Sequence, residues 1–402
     1  MKVIADLHSH SRYALATSKN TDLEHLSVGA QAKGITLMGT GDFTHPKWVA
    51  ELKGKLEPIS DSGLYAYGGI SWMLTGEVST VYEQAGRKRK VHHLINAPDF
   101  EALSQINEFL ATYGNLGSDG RPILTGIDSA ELLEGLSSIS RDIVLIPAHV
   151  FTPWFGVFGS KSGFDSLEEC YQDQAGKVFA LETGLSSDPE MNWRLSTLDR
   201  LGLMSNSDAH SPNPWRLGRE ANVFDLPVLG YKELFDAVRR KDSSKFLYTV
   251  EVDPSYGKYH YSGHKKCGVS LAPGEARDLG NRCPKCGKKL TVGVLQRVEE
   301  LADRPEGFVP PGAVPFKRLL PLYEVISFAT GVNRFYAKSV LDTQDKLIAR
   351  FGNEFAVLLD VPEESLASVV PPRVAGAIIA SREGRVKVVP GYDGVYGVPT
   401  FA

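Results

Sequence analysis

The sequence predicts an α/β protein: a parallel sheet or barrel first, then a small metal-held module, then a helical C-terminal region. Three observations carry this. From residue 1 to about 230, short apolar runs alternate with helical patterns. Residues 257–295 are Gly- and Lys-rich, poor in core residues, and hold three of the four cysteines. From 296 to about 383 the apolar spacing is helical.

The buried strands come in order as "VIADL", "ITLMGT", "MLTGEV", "KVHHLI", "DIVLIPAHV", "VFALETG" and "LGLMSNSD". Each is bounded by Gly, Ser, Asn or Asp. Between them "LEHLSVGAQAKG" and "DFEALSQINEFLATYG" space their apolar residues as amphipathic helices. Such alternation means a parallel sheet or barrel. "KELFDAVRRK" and "KFLYTVEV" then close that unit with a helix and a strand within 231–256. The tail "VKVVPGYDGVYGVPTF" reads as strand and Gly-rich loop. The expected domains are thus 1–230, 257–295 and 296–402.

A chain of 402 residues has room for a full core and more than one domain. No apolar run is long enough to cross a bilayer. "MKVIADL" shows no signal-peptide pattern, so the expectation is a cytoplasmic protein. The net charge of -4 argues against nonspecific coating of nucleic acid. Residues 257–297 differ: nine Lys or Arg face two acids, a local charge of +7.

The chemistry-bearing residues gather at strand ends. His8 and His10 end the first strand, and residues i and i+2 of a strand point the same way. Asp42 and His45 follow the second. Glu77 ends "MLTGE", His92 and His93 sit in "KVHHLI", His149 ends "VLIPAH", and Asp208 and His210 end "LMSNSDAH". In α/β barrels functional groups collect at the C-terminal ends of the strands. A hydrogen bond explains any one such histidine, but not the set. Without a metal it would bury several repelling charges. The mixture of His, Asp and Glu suits divalent ions with shared carboxylates.

His264 and Cys267 are three apart, as are Cys283 and Cys286 in "CPKCG". This spacing completes a closed tetrahedral shell, so one structural zinc is expected. Without it, so apolar-poor a segment should not fold. Cys170 stands alone and reads as a buried apolar residue. After His149, "VFTPWFGVFGSKSGF" crowds Phe151, Trp154, Phe155 and Phe158 into a Gly-rich loop. They are a core flap if packed, or a wedge between bases if exposed. Lys161 beside them is placed to meet a phosphate.

The ordered motifs of residues 1 to about 215 resemble the PHP (polymerase and histidinol phosphatase) superfamily. That resemblance implies a distorted (β/α)7 barrel with two or three divalent ions (Zn, Mn, Mg or Fe) serving a phosphoesterase. It nominates His8, His10, Asp42, Glu77, His92, His149, Asp208 and His210 as catalytic metal ligands, with His45 as a further ligand. Two departures matter. Asp42 is followed by Phe43, with His45 two residues further on, where many members have Asp-His. Leu15 and Ala16 stand where many have another ligand. Two ions are therefore implied more firmly than three. Placing the superfamily's "HLxLLAxD" on "HHLINAPD" without a gap selects His92 over His93.

Taken with the zinc module, "LTVGVLQRVEELADRP" and the closing "PGYDGVYG", the whole chain resembles the endonuclease Q family. Membership implies a DNA-repair nuclease that nicks 5′ to uracil, hypoxanthine, xanthine and abasic sites, leaving a 3′-hydroxyl and a 5′-phosphate. The implied partner is damaged DNA, with a sliding clamp as a second candidate. Glu182 and Asn206, at neighbouring strand ends, are expected to contact the flipped base or sugar. "ISFATGVNRFYAKSVLDTQDKLIARFG" loosely resembles a DNA-binding helix-hairpin-helix, a pattern that any αα-hairpin also fits. The competing reading is a phosphatase of small phosphomonoesters. It would use the same metals but would not need a basic zinc module. A DNA-binding module with an inactive barrel would be expected to lose metal ligands, yet six firm ones are present.

Overall fold

The structure, a computed structural model, describes residues 1–332 and 334–401; Asn333 and Ala402 lie outside it. Lys2–Asp6 pairs in parallel with Leu37–Gly39, which pairs in parallel with Ile70–Gln84. From there the order departs from the expected all-parallel pattern. Ile70–Gln84 turns back on Arg87–Ala97 as a long antiparallel hairpin, and Arg87–Ala97 pairs antiparallel with Val144–Pro147. The cause is local: Ala85 and Gly86 both take positive φ (52° and 69°). A two-residue loop of that kind matches the strand twist and closes a hairpin.

Ala180–Glu182 and Gly202–Met204 pair in parallel with each other. Single bonds join this pair to both neighbours. Val150 N donates to Glu182 O at 3.0 Å, and His10 N donates to Ala209 O at 2.9 Å. The pairings therefore return to the first strand. One apolar cluster draws Ala5, Leu37, Met73, Leu94, Ile146, Ala180 and Met204 together, one from each of these seven strands.

Ala221–Asp225 runs antiparallel to the first strand and Phe246–Glu251 antiparallel to Ala221–Asp225. Phe316–Arg318 then adds in parallel. The first unit thus reaches past residue 230, and a strand from the expected helical region joins its sheet. Helices Leu23–Lys33, Phe100–Leu110 and Ser129–Ile139 start on aspartate caps, Asp22, Asp99 and Asp128. Each carboxylate accepts an otherwise unpaired amide of the first turn.

In the cysteine-rich module, Ser262–His264 and Val269–Leu271 form a hairpin over a short helix, Pro273–Asp278. Its apolar core is Val269, Ala276, Cys283 and Leu290. Arg297 ties it to the aromatic loop by donating to the carbonyls of Phe158 (3.0 Å) and Phe164 (2.9 Å). The C-terminal region packs Leu322–Thr330, Lys338–Phe351, Glu354–Leu359, Glu363–Ala367 and Pro372–Arg382. It ends in the hairpin Val386–Val389 with Val398–Phe401. No helix among the described residues is long and apolar enough to cross a membrane.

Candidate metal centre

Strand ends carrying His8, His10, His149 and Asp208, with the middles of Ile70–Gln84 (Glu77) and Arg87–Ala97 (His92), deliver two donor sets that share one carboxylate. The first is His8, His10, Glu77 and Asp208; the second is Glu77, His92 and His149. Glu77 faces them with different oxygens. Its Oε2 lies 3.5 Å from His8 Nε2 and 3.3 Å from His10 Nε2. Its Oε1 lies 2.6 Å from His92 Nδ1 and 3.1 Å from His149 Nε2. Asp208 Oδ1 closes the first set, 3.0 Å from His10 Nε2 and 3.7 Å from His8 Nε2.

These donors fit a pair of divalent ions. His8 Nε2 is buried and has no hydrogen-bond partner. His92 Nδ1 and His149 Nε2 point at one another across 3.1 Å. A shared cation satisfies both arrangements, and a carboxylate with one oxygen in each set is a natural bridge. The electrostatics agree. Burial raises the Glu77 carboxyl, but His92, Arg121 and His8 outweigh it and hold Glu77 well below the usual range. Burial opposes charge on His8 and His10, yet the surrounding carboxylates push both well above an ordinary histidine. The site thus concentrates carboxylates around the imidazoles, a donor chemistry that suits divalent cations.

Behind the donors stands a ring of orienting groups. Both Glu182 oxygens lie 3.0 Å from His8 Nδ1, and Glu182 also accepts from His149 N (2.9 Å) and Asn206 Nδ2 (2.9 Å). Asn206 Oδ1 accepts from Leu7 N at 2.9 Å. Both side chains are buried and engaged in these contacts. Glu182 touches His8 and His149, and Asn206 braces Glu182. Asp42, expected as a ligand, stands outside both donor sets. Its Oδ1 faces His10 Nδ1 at 2.8 Å, and its Oδ2 accepts from Ser11 N and Oγ. Such contacts fix the imidazole tautomer and leave the other nitrogen free.

The remaining expected residues divide. His92 joins the donors, while His93 faces the opposite side of its strand, against Tyr171 OH (2.9 Å) and Thr80 Oγ1 (3.0 Å). His45 stacks on Tyr13 with ring centres 4.4 Å apart, outside both donor sets. His210 lies at the margin, its Nδ1 3.0 Å from Asp208 O and its ring 4.4 Å from His10. In the aromatic loop, Phe151 and Phe158 are core. Phe155 lies on His92 with ring centres 4.3 Å apart, and Lys161 is exposed. Trp154 is 38% exposed and meets Tyr259 edge-on. Cys170 is buried. His264, Cys267, Cys283 and Cys286 form a third donor set, as their spacing predicts.

Two features of the site were not legible in the sequence. Arg121, from the loop before Ile123–Thr125, places Nη1 3.1 Å from Glu77 Oε2. Asp42, His149 and Asp208 all take positive φ (48°, 32° and 47°). Non-glycine residues bear that strain mainly where surrounding structure imposes it at functional sites.

Residues 321–385 match the family model described as the MJ0043 C-terminal domain. Uncharacterized protein YqxK of Bacillus subtilis is 32% identical, with 98% of each chain covered. MJ0043 of Methanocaldococcus jannaschii is 36% identical over 62% of this chain, which spans 31% of that protein. The crystal structure of the lesion-specific endonuclease PfuEndoQ from Pyrococcus furiosus matches at TM-score 0.90 and 36% identity, covering 100% of this chain and 96% of that one. An endonuclease Q complex with a 27-mer duplex, bearing an abasic lesion at the active site, matches at 0.89 and 36% identity, covering 100% and 97%. With this identity and fold agreement over its full length, the chain belongs to the endonuclease Q family.

Proposed function

We propose that the protein is a metal-dependent endodeoxyribonuclease that nicks DNA 5′ to deaminated bases and abasic sites, working from a closed seven-stranded PHP-type barrel. The observation that carries the reading is Glu77, one carboxylate with an oxygen in each of two donor sets. The run of strand pairings that returns to Lys2–Asp6 supports the barrel. The relative whose structure holds abasic duplex at its active site supports the substrate.

Two divalent ions in such a site supply an activated water and stabilise the attacking and leaving oxygens of an in-line displacement. His8, His10, Glu77 and Asp208 would hold one ion, and Glu77, His92 and His149 the other. Glu182 and Asp42 keep the Nδ1 of His8 and His10 engaged, so that each Nε2 faces the centre. Arg121, aligned by Glu77, presents a cation to an incoming phosphate. His264, Cys267, Cys283 and Cys286 would hold a structural zinc within a basic surface that tracks the backbone.

Substituting Asp208→Asn tests this. Nicking of uracil-, hypoxanthine- and abasic-site duplexes with Mn or Mg should fall by roughly 10³-fold or more. Binding of the same duplexes should stay within about fivefold, because the residue faces ions rather than bases. Equal turnover by the variant would remove the metal centre from the reaction. Fast hydrolysis of a small phosphomonoester by wild type, with no nicking, would replace the nuclease with a phosphatase.

A further inference from the structure

The two donor sets are supported in different ways. In the first, a carboxylate stands behind each ring: Glu182 on His8 Nδ1 and Asp42 on His10 Nδ1. Such a partner fixes the direction in which the inner nitrogen points and makes it a better donor. The histidines of the second set have no such partner. His149 Nδ1 is buried with no hydrogen-bond partner. His92 turns Nδ1 toward Glu77 and His149, and among the described residues no hydrogen bond reaches its other ring nitrogen.

His92 is backed by an aromatic ring instead. Phe155 covers it with ring centres 4.3 Å apart and planes inclined by 35°. Lys90 lies over the same Phe155 ring, its Nζ 5.0 Å from the centre. Lys90 and His92 are i and i+2 on Arg87–Ala97 and share one face of that strand. The phenyl ring therefore packs along that face, from the basic side chain to the metal donor.

The backbone is built to hold the ring there. His92 N donates to Phe155 O at 2.8 Å. Phe155 N donates to Ser162 Oγ (3.1 Å), which in turn donates to Lys90 O (3.3 Å). Phe155 itself takes a φ of 67°. A bulky residue in the left-handed region is an outlier, and its strain persists only where the surroundings impose it. The turn is also tight: a Cβ on Gly156 would stand 2.5 Å from Val150 O. Glycine at position 155 would take this φ without strain, so the turn itself does not call for a ring.

We infer that Phe155 is a positioning residue: its ring fixes the His92 imidazole in place of a hydrogen-bond partner, and so sets how tightly the ion at Glu77, His92 and His149 is held. The inference goes beyond the nuclease reading and rests on its two-ion centre. An apolar face restricts rotation of the imidazole without polarising it. His92 is then a weaker donor than His8 or His10, whose outer nitrogens face carboxylates. The two ions differ in affinity, and the one at the second set leaves first. Without the ring, His92 turns freely and that ion keeps only Glu77 and His149 as ordered donors.

The test counts ions as well as nicks. Wild type, Phe155→Leu, Phe155→Gly and Phe155→Tyr are dialysed at a free Mn concentration that just fills wild type. Leu keeps the bulk but loses the flat face, and Gly removes the ring without straining the turn. Manganese, counted apart from zinc by atomic absorption, should fall by nearly one ion per chain in these two and stay unchanged in Phe155→Tyr. The Mn concentration for half-maximal nicking of an abasic duplex should rise roughly 10- to 100-fold in the same two, the range for lost support of a metal ligand. Excess Mn should restore their rates, since the ring orders a donor and does not touch the reacting phosphate. Unchanged Mn content and requirement, or loss of all barrel ions together with a lowered melting temperature, overturns the assignment. So does slower nicking at saturating Mn with the ion count intact, which would put the ring on DNA. Wild type that binds Mn but nicks no lesion duplex overturns the nuclease reading instead, and the ion count still decides the role of Phe155.

Discussion

Glu77, midway along Ile70–Gln84, and Glu182, at the end of Ala180–Glu182, are both buried glutamates, and they make different contacts. Glu77 meets the inward nitrogens of four histidines, whereas Glu182 meets the outward nitrogen of His8. Which nitrogen a carboxylate faces depends on strand geometry a few ångströms away. The donor groups were therefore legible in the sequence, while the contacts made by Asp42, Glu182 and Asn206 were not. Arg121 was hidden for another reason: it arrives on a loop, with no periodicity to mark it. A separate buried pair has a measurable consequence. Glu220 and Glu251 lie together, and burial, with some help from Asp188, pushes the Glu251 carboxyl up to about 8. Arg219 opposes the same effect on Glu220, while Glu182 adds to it. Below pH about 4.5 both native and unfolded chains hold the Glu251 proton. As pH rises toward 8 the unfolded chain ionises first, so the native state binds more protons and loses stability. Glu251→Gln cannot ionise. Its thermal stability relative to wild type should therefore climb between pH about 5 and 8; a constant difference across that range would show Glu251 ionised in the native fold.

At the scale of elements, the aromatic loop divides between packing and exposure. Phe151 and Phe158 are core, whereas Trp154 reaches outward beside Tyr259. The sequence left flap and wedge open because both uses need the same residues. If Trp154 wedges a duplex, Trp154→Ala should slow nicking of a paired lesion far more than of the same lesion in single-stranded DNA. Eversion costs a few kcal/mol only when the base is stacked. Equal losses on both substrates, with a lowered melting temperature, would make the residue structural. The four-donor cluster was legible from spacing alone, since a His–Cys turn and a Cys–Cys turn each pair two donors three residues apart. Replacing Cys283 and Cys286 together by Ser should cost one zinc per chain, by atomic absorption, and flatten the salt dependence of DNA binding. The antiparallel hairpin was missed because its turn is Ala-Gly, outside the Asn-Gly and Asp-Gly pairs that announce such turns.

Across the whole molecule, distant segments are locked together. Lys33 Nζ bonds Glu354 Oε1 at 2.6 Å, and that carboxylate also accepts from Leu322 N and Gln344 Nε2. Lys33→Met should cost about 3–5 kcal/mol in urea unfolding, because the buried Glu354 loses its cation. A cost near zero would mean that the carboxylate takes up a proton instead. The C-terminal hairpin is tied down too: Asp393 accepts from Lys265 N at 2.6 Å and Thr291 Oγ1 at 2.7 Å. The bond from His10 N to Ala209 O, with Asn206 on Leu7 N, joins residues about two hundred positions apart. Contacts of such long sequence separation form late, since loop-closure entropy must be overcome before they stabilise anything. Asp208 sits between those two seams, so the first donor set is complete only once they have closed. A partly folded chain, on the ribosome or after local opening, therefore carries its histidines without the first donor set assembled. Under the proposed nuclease reading, nicking in a refolding experiment should lag behind recovery of helical signal, and the enzyme would stay inert until its fold is finished.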